Sequence, residues 1–483
     1  VRVVHSRRFD VVIHGATGFT GQHAAGELNR AASKDLRWAI SGRNADRLRE
    51  MSAELGCEYI VADSLSDSQL NELTMQTQVM LSCAGPFAAF GEKLVAACVK
   101  NKCHYADLTG ESHWAIKMAA RYGAAATDNE VTLIPSSGFD SVPASLGAQH
   151  YLQRIAMDGR QIKSFGSYYS MRGGLNGGTL ASGLQLAEDG LSVPDSARPG
   201  VFKVTALNKY ASEFVMAPIN ERVVSLDTNV DYHEHLLTPN KFSAYLVKWY
   251  FDLMGWMISH KFGRSVLRKL GPKPGEGPSE KVIAEGFVKQ TFIEDDCDDP
   301  TKLVFTWPGD PGNTVTVRCL IHTGLALAAG EAQAVGFTTP AAGLGDKLLQ
   351  RLLAAGACSY ECTPDWMKIY NAGEFHYDSS VEAKSVTLIT AWNPNSKEMP
   401  DTWNAEANVR LANELRELGY EFGDSYGCSP AGEEPYWREE GFAVYDLSID
   451  QAYDLGAKWG QRAVVYNACS KQQMLFCHSR QVC

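Results

Sequence analysis

The first apolar run, Asp10-Val11-Val12-Ile13-His14, alternates like a strand and gives way to Gln22-His23-Ala24-Ala25-Gly26-Glu27-Leu28, which is spaced like a helix. The same change of period then recurs. Strands are predicted at Arg37 to Ser41, Glu58 to Ala62, Val79 to Cys83, His104 to Asp107 and Val131 to Pro135. Helices are predicted between them, at Asn44 to Leu55, Ser66 to Thr77, Phe90 to Lys100 and Glu111 to Thr127. Regular βα alternation means a parallel sheet covered by helices on both faces, an α/β fold of Rossmann type.

From Gln161 to Thr323 the pattern changes to longer, separated strands, at Ile162 to Met171, Val282 to Phe292, Leu303 to Trp307 and Thr314 to Ile321. This predicts a second, largely antiparallel α+β domain for substrate binding or oligomerisation. Within it, over 242–270, Leu246, Trp249, Tyr250, Leu253, Met254, Met257 and Ile258 recur at helical spacing, and Lys248 and Asp252 mark another face. His260, Lys261, Arg264, Arg268 and Lys269 follow. An apolar helix with a basic end suits a membrane interface. Packing on the core or against a second copy is the favoured reading, because apolar stripes are usually core.

The C-terminal part reads as a compact α/β module, with strands at Val386 to Thr390, Phe442 to Tyr445 and Ala463 to Tyr466 and helices at Asn404 to Leu418 and Asp450 to Trp459. The expected domains are therefore 1–160, 161–323, a return to the first sheet over 324–362, a linker over 363–380, and 381–483.

Composition adds exclusions. A chain of 483 residues with 45% hydrophobic and 21% charged residues is an ordinary globular protein of several domains. A net charge of −11 argues against nucleic acid as a partner. The 12 cysteines form no Cys-x-x-Cys, and His233-Glu234-His235 is too close-set for the zinc-protease motif, so free thiols, a strand and no metal are expected. The acidic group Glu433, Glu434, Glu439 and Glu440 reads as a solvated face. No apolar run is long enough for a membrane span, which needs about 18 residues. The chain starts at Val1, and Arg2, Arg7 and Arg8 are compatible with the tail of a basic targeting segment.

Between the first strand and helix stands Gly15-Ala16-Thr17-Gly18-Phe19-Thr20-Gly21. Three glycines spaced by three at a strand-to-helix turn let a pyrophosphate approach backbone amides without a Cβ in the way; the alternative is a tight turn with no ligand. The second strand ends Ser41-Gly42-Arg43. An NAD site usually places an acidic residue there, whereas a guanidinium suits the 2′-phosphate of NADP; the alternative is an Arg paired to a nearby carboxylate. Cofactor contacts are thus expected from Gly15, Thr17, Gly18, Phe19, Thr20, Gly21, Ser41, Gly42, Arg43, Asp63 and the segment Ala84, Gly85, Pro86 after the fourth strand.

Ligands in such folds sit beyond the carboxyl ends of the strands. The segments there also include Asp107-Leu108-Thr109-Gly110-Glu111 and Ser136-Ser137-Gly138-Phe139-Asp140-Ser141-Val142-Pro143. Asp107, Glu111, Asp140 and Ser141 are the catalytic candidates, each of which could equally cap a helix. The Tyr-x-x-x-Lys pair of short-chain reductases is absent.

With Cys83-Ala84-Gly85-Pro86-Phe87, Lys273 to Ser279 and Thr338-Thr339-Pro340-Ala341 added, the span Phe9 to Glu361 resembles the saccharopine dehydrogenase-like oxidoreductases and their trans-acting enoyl reductase relatives. The resemblance implies a Rossmann domain completed by chain near Leu320 to Ala357, an inserted α+β domain and oxidoreductase activity on an unassigned substrate. Animal relatives associate with membranes or lipid droplets. Gly309-Asp310-Pro311-Gly312-Asn313 departs from the pattern, since relatives commonly carry an aromatic residue or Thr after the Gly.

The C-terminal hundred residues, through Val386 to Pro394, Asn404, Asn408, Gly419-Tyr420, Glu439 to Phe442 and Trp459 to Ala463, resemble a small bacterial domain family of unknown function. A partner-binding or modulating role is expected of them. The whole then reads as an NADP(H)-dependent reductase of an enoyl or carbonyl group on a lipid-like small molecule. It would be cytoplasmic or peripherally membrane-associated, with mitochondrion or lipid droplet as possible sites, and a homo-oligomer is open. The rival is a non-catalytic nucleotide-binding scaffold at a membrane or in an assembly. Saccharopine chemistry itself would need cationic clamps for carboxylates, and the strand-end segments lack them.

Overall fold

A computed structural model describes residues 7–157, 160–174, 177–188, 200–273, 276–295, 297, 300–363, 373–394, 399–430, 437–461, 463–468, 471–477 and 481–482. Arg2, Pro274, Gly275, Glu433, Glu434, Arg462 and half of the expected linker lie outside these. The chain divides into two compact units, Val1–His150 with Lys163–Glu361, and Tyr151–Ile162 with Cys362–Cys483.

The first unit opens with β1 (Phe9–His14), α1 (Phe19–Ala31), β2 (Trp38–Gly42), β3 (Glu58–Val61), β4 (Thr77–Ser82), β5 (His104–Asp107) and β6 (Thr132–Ile134). Val11, Val12 and Ile13 are wholly buried, as expected of a strand with helices on both faces. Strand β1 pairs in parallel with β2, through Val11 opposite Trp38, and with β4, through Val11 opposite Val79. The sheet order is Gly336–Phe337, β6, β5, β4, β1, β2, β3. The order reverses beside β1, and the crevice above its carboxyl end is the expected ligand position.

The intervening helices start where their caps dictate. Asn44 accepts from the Arg47 amide and Ser66 from that of Gln69.

The second sheet of this unit runs Ser359–Thr363, Lys302–Pro308, Phe287–Glu294, Ser164–Arg172, Asp231–Thr238, Lys209–Ser212, Phe202–Val204. It is largely antiparallel, although Ser164–Arg172 and Asp231–Thr238 pair in parallel.

Three expectations are corrected. The strand expected at Thr314 to Ile321 is instead a π-turn, Pro311–Val315, leading into the helix Thr316–Ala328. Its residues from Cys319 to Gly324 are all buried, His322 and Thr323 included, so burial here does not follow the one-face period of an amphipathic helix. A Cβ on Gly324 would come within 2.7 Å of the Leu81 side chain, so this helix lies directly against β4, and the strand that rejoins the first sheet, Gly336–Phe337, follows it. The strand expected from Val282 begins only at Phe287, after the short helix Glu280–Ala284 capped by Ser279.

The helix expected over 242–270 is two helices, Lys241–Ser259 and Lys261–Leu270, separated by His260 in extended conformation. In the first of these Ala244 is the buried residue, and of the apolar stripe Leu246, Trp249, Tyr250 and Leu253 are exposed while Met254, Met257 and Ile258 are half-buried, so the stripe is not core.

The second unit holds an antiparallel sheet ordered Glu374–Tyr377, Phe422–Cys428, Arg438–Tyr445, Ser385–Ile389, Ala463–Ala468, Lys471–Phe476, Gln481–Val482. Its edge strand falls within the span expected as a linker. Helices Asp401–Glu417 and Ile449–Lys458 bury Leu411, Leu415, Ala452 and Leu455 in one core with Val444, Val464 and Leu475.

Candidate dinucleotide and active site

The turn after β1 is held by backbone bonds. Gly15 and Ala16 amides donate to Ser41 O at 2.9 and 3.0 Å, and the Gly18 amide donates to Gly15 O at 3.1 Å. Gly15 has φ +80°, and a Cβ there would stand 2.8 Å from the Ala84 amide nitrogen. Both the conformation and the approach of the β4 loop therefore demand glycine. A Cβ on Gly21 would stand 2.2 Å from Gly15 O, so the third glycine lets α1 close onto the turn.

Gly18 is the N-cap of α1 and has no capping side chain. A Cβ built on it meets only Gly15 O, at 3.4 Å, so the approach to the helix end is open. The first amides of a helix lack intrahelical acceptors, and here they face the crevice end of the sheet with Phe19, Thr20 and Gly21 as the first turn. Gln22 Nε2 donates to Thr17 O at 3.0 Å, and a Cβ on Gly42 would lie 3.7 Å from Thr17 Oγ1, which joins the turn to the end of β2. The residues present thus fit a dinucleotide.

Arg43 stands exposed just past β2 and makes no ion pair among the described residues. Its neighbours are otherwise engaged, since Asp46 pairs with Arg49 and Glu50 with Arg47. Asp63 closes its own turn, accepting from the Leu65 amide at 2.8 Å.

His14, which sequence reasoning passed over, is buried between Ser41 Oγ at 3.2 Å and Ser64 Oγ at 2.9 Å. Burial lowers its pKa to about 4 against the opposing pull of Asp63, so the ring is neutral and ties β1 to the loops after β2 and β3.

The structure separates the four catalytic candidates. Asp107 is fully buried and accepts from the Thr109 amide at 2.9 Å, the Ser136 amide at 3.0 Å and the Tyr105 hydroxyl at 2.8 Å. Burial still pushes it up to about 6. Glu111 accepts from the Phe87 and Ala88 amides at 3.0 and 2.8 Å and so caps the loop that begins with Ala84, Gly85 and the cis-linked Pro86. The Ser141 hydroxyl donates to Asp140 O at 2.7 Å.

Asp140 differs from these three. Its carboxylate makes no hydrogen bond among the described residues, burial pushes it up to about 6, and a Cβ on Gly110 would lie 3.4 Å from Oδ2. Three candidates thus hold loops in place, and one carboxyl is left available.

Two further features were hidden by distance along the chain. Gly277, in the segment singled out at Lys273 to Ser279, would place a Cβ 2.3 Å from the Phe19 ring, so this loop packs on the start of α1. Glu234, in the strand Asp231–Thr238, is buried and accepts from Tyr169 and Asn220, both at 2.8 Å, and from Tyr232. Desolvation pushes it up to about 8. Tyr169 meets Phe139 edge-on at 6.0 Å, next to Asp140.

In the second unit, strand pairing brings Glu374, His376 and Cys428 within 4.8 Å of one another, a donor set that linear spacing concealed. Its carboxylate and imidazole are about half exposed, as solvated surface groups are. Glu439 accepts from Asn393 at 3.1 Å, and burial pushes it up to about 7, so it is not part of a fully solvated face.

Residues 11–134 match the saccharopine dehydrogenase NADP binding domain. The first unit carries a saccharopine dehydrogenase-like NAD(P)-binding domain. A candidate trans-acting enoyl reductase of Mycobacterium tuberculosis is 29% identical over 408 residues, covering 72% of this chain and 96% of its own length. The trans-acting enoyl reductase of Mycobacterium ulcerans is 28% identical over 415 residues, covering 72% and 97%. Residues 389–464 match DUF3293, a family of unknown function. Among solved structures, saccharopine dehydrogenase of Saccharomyces cerevisiae aligns over 73% of this chain and 99% of its own at 11% identity and a TM-score of 0.49.

Proposed function

We propose that this protein is an NADP(H)-dependent reductase of an enoyl or carbonyl group on a lipid-like acyl substrate. The observation that carries the choice of cofactor is Arg43, an exposed guanidinium without a carboxylate partner among the described residues, directly after Gly42 where an acidic residue would select NAD. The names of the mycobacterial relatives support the enoyl class.

The amides at the start of α1 hold the pyrophosphate and Arg43 holds the 2′-phosphate. The bound dinucleotide supplies the hydride. Asp140, protonated in part near neutral pH because burial raises it to about 6, gives the proton that completes reduction at the neighbouring atom. Asp107 and Glu111 position the loops around it.

The test is fluorescence titration of the full chain with NADPH and NADH. Tight, NADPH-selective binding supports the reductase. Binding of neither replaces it with the scaffold reading.

A further inference from the structure

We infer that helices Lys241–Ser259 and Lys261–Leu270 form a docking surface for the interface of an anionic lipid bilayer. Along the first helix Phe242, Leu246, Trp249, Tyr250, Leu253 and Trp256 share one face by helical spacing. All six are exposed, from 38% for Leu253 to 73% for Phe242. A contiguous apolar face of this kind is rare on a monomer's surface and marks an interaction site. The helix is fixed to the fold elsewhere, by Lys248 ion-paired to Glu213 at 3.1 Å and by the Ser212 hydroxyl donating to Ala244 O at 3.0 Å. Its apolar face is therefore held out to solvent.

The second helix supplies the charge. It carries Lys261, Arg264, Arg268 and Lys269 within 10 residues, in a chain whose net charge is −11. A Cβ on Gly263 would stand 2.2 Å from Met257 O, so this helix sits directly against the end of the first and brings its cations beside the aromatic face. Arg264 caps the first helix through Ile258 O at 2.8 Å, and Arg268 pairs with Glu188. Lys261 and Lys269 are exposed and make no ion pair among the described residues. Phe262 and Leu270, 75% and 79% exposed, stand among them.

Charge complementarity selects the occupant. A second copy docking through this same surface would present the same cations, while the described carboxylates beside them, Glu188 and Asp252, are already paired to Arg268 and Lys248. Anionic head groups supply those anions, and Trp and Tyr rings settle at head-group depth beside lysines. No described helix is long and apolar enough to cross a membrane, so the contact is peripheral, with the first helix lying in the interface plane.

The experiment is flotation of the full chain with phosphatidylcholine vesicles, with and without phosphatidylserine, followed by tryptophan emission. Co-flotation with the anionic vesicles, a blue shift, and binding about tenfold weaker to neutral vesicles are expected. Trp249→Glu with Trp256→Glu should abolish flotation. Lys261→Glu with Lys269→Glu should remove only the preference for phosphatidylserine, with far-UV circular dichroism and the melting temperature as the check that both variants fold. Two results would overturn the inference: no flotation on either vesicle, or equal binding to both. A concentration-dependent dimer that Trp249→Glu dissolves, without flotation, would overturn it in favour of a second copy. None of these outcomes depends on the cofactor assignment.

Discussion

The Gly15 carbonyl oxygen lies 2.2 Å from where a Cβ on Gly21 would stand, and that contact sets how closely α1 approaches the end of β1. Gly21→Ala must push the helix away, because the contact is with backbone and cannot relax by rotating a side chain. We expect a loss of about 1–3 kcal/mol in stability, as for overpacking in general. NADPH affinity should fall with it. Denaturant unfolding and titration measure the two, and a variant as stable and as tightly binding as the parent would contradict the closeness of this turn.

Arg43 stands apart from the pairs Asp46 with Arg49 and Glu50 with Arg47. Arg43→Ala should therefore leave the fold intact and weaken NADPH binding about tenfold to a hundredfold, the scale of a charge-assisted hydrogen bond. NADH binding should be unchanged. Equal losses for both dinucleotides would mean that Arg43 does not read the 2′-phosphate.

Asp140 and Asp107 are both pushed to about 6 by burial, yet only Asp107 is tied to neighbours through its side chain. Asp140→Asn should lower kcat by about 10²- to 10⁴-fold, as for loss of a general acid, with little change in melting temperature or NADPH binding. Asp107→Asn should instead destabilise the fold by about 1–3 kcal/mol, because an amide cannot accept at both oxygens. Interchanged effects would reverse the roles assigned to the two residues.

Glu234 has a folded pKa of about 8, above its ordinary value of 4.5, because burial disfavours its anion. In that window the native state holds a proton that the unfolded chain has released. Stability must then fall as pH rises from about 4.5 to about 8, by linkage. Glu234→Gln, which cannot ionise, should flatten this decline. Urea midpoints at pH 5 and pH 8 for both proteins are the measurement, and parallel declines would place the pH sensitivity elsewhere.

Much of this protein was legible from local pattern alone. The six strands from β1 to β6 and the helices between them announced themselves by a change of period and by caps such as Asn44 and Ser66, which act within a few residues. So did the glycine turn after β1, since such a turn is built from contiguous backbone. The family resemblance rested on those same segments and agrees with the domain matched at residues 11–134.

What the sequence could not determine depended on partners far along the chain. Thr314 to Ile321 reads as a strand because Val315, Thr316 and Val317 are β-branched and the apolar run continues past them, and only the packing that buries Cys319 to Gly324 makes this segment helical. The apolar stripe on Lys241–Ser259 looks like core, since periodicity reveals that a face is apolar and not what covers it. The four rim candidates were alike as residue types. Tertiary hydrogen bonds, from Ser136 to Asp107 across 29 positions and from Phe87 to Glu111 across 24, decided which carboxylates were committed to loops, and Asp140 has no such bond among the described residues.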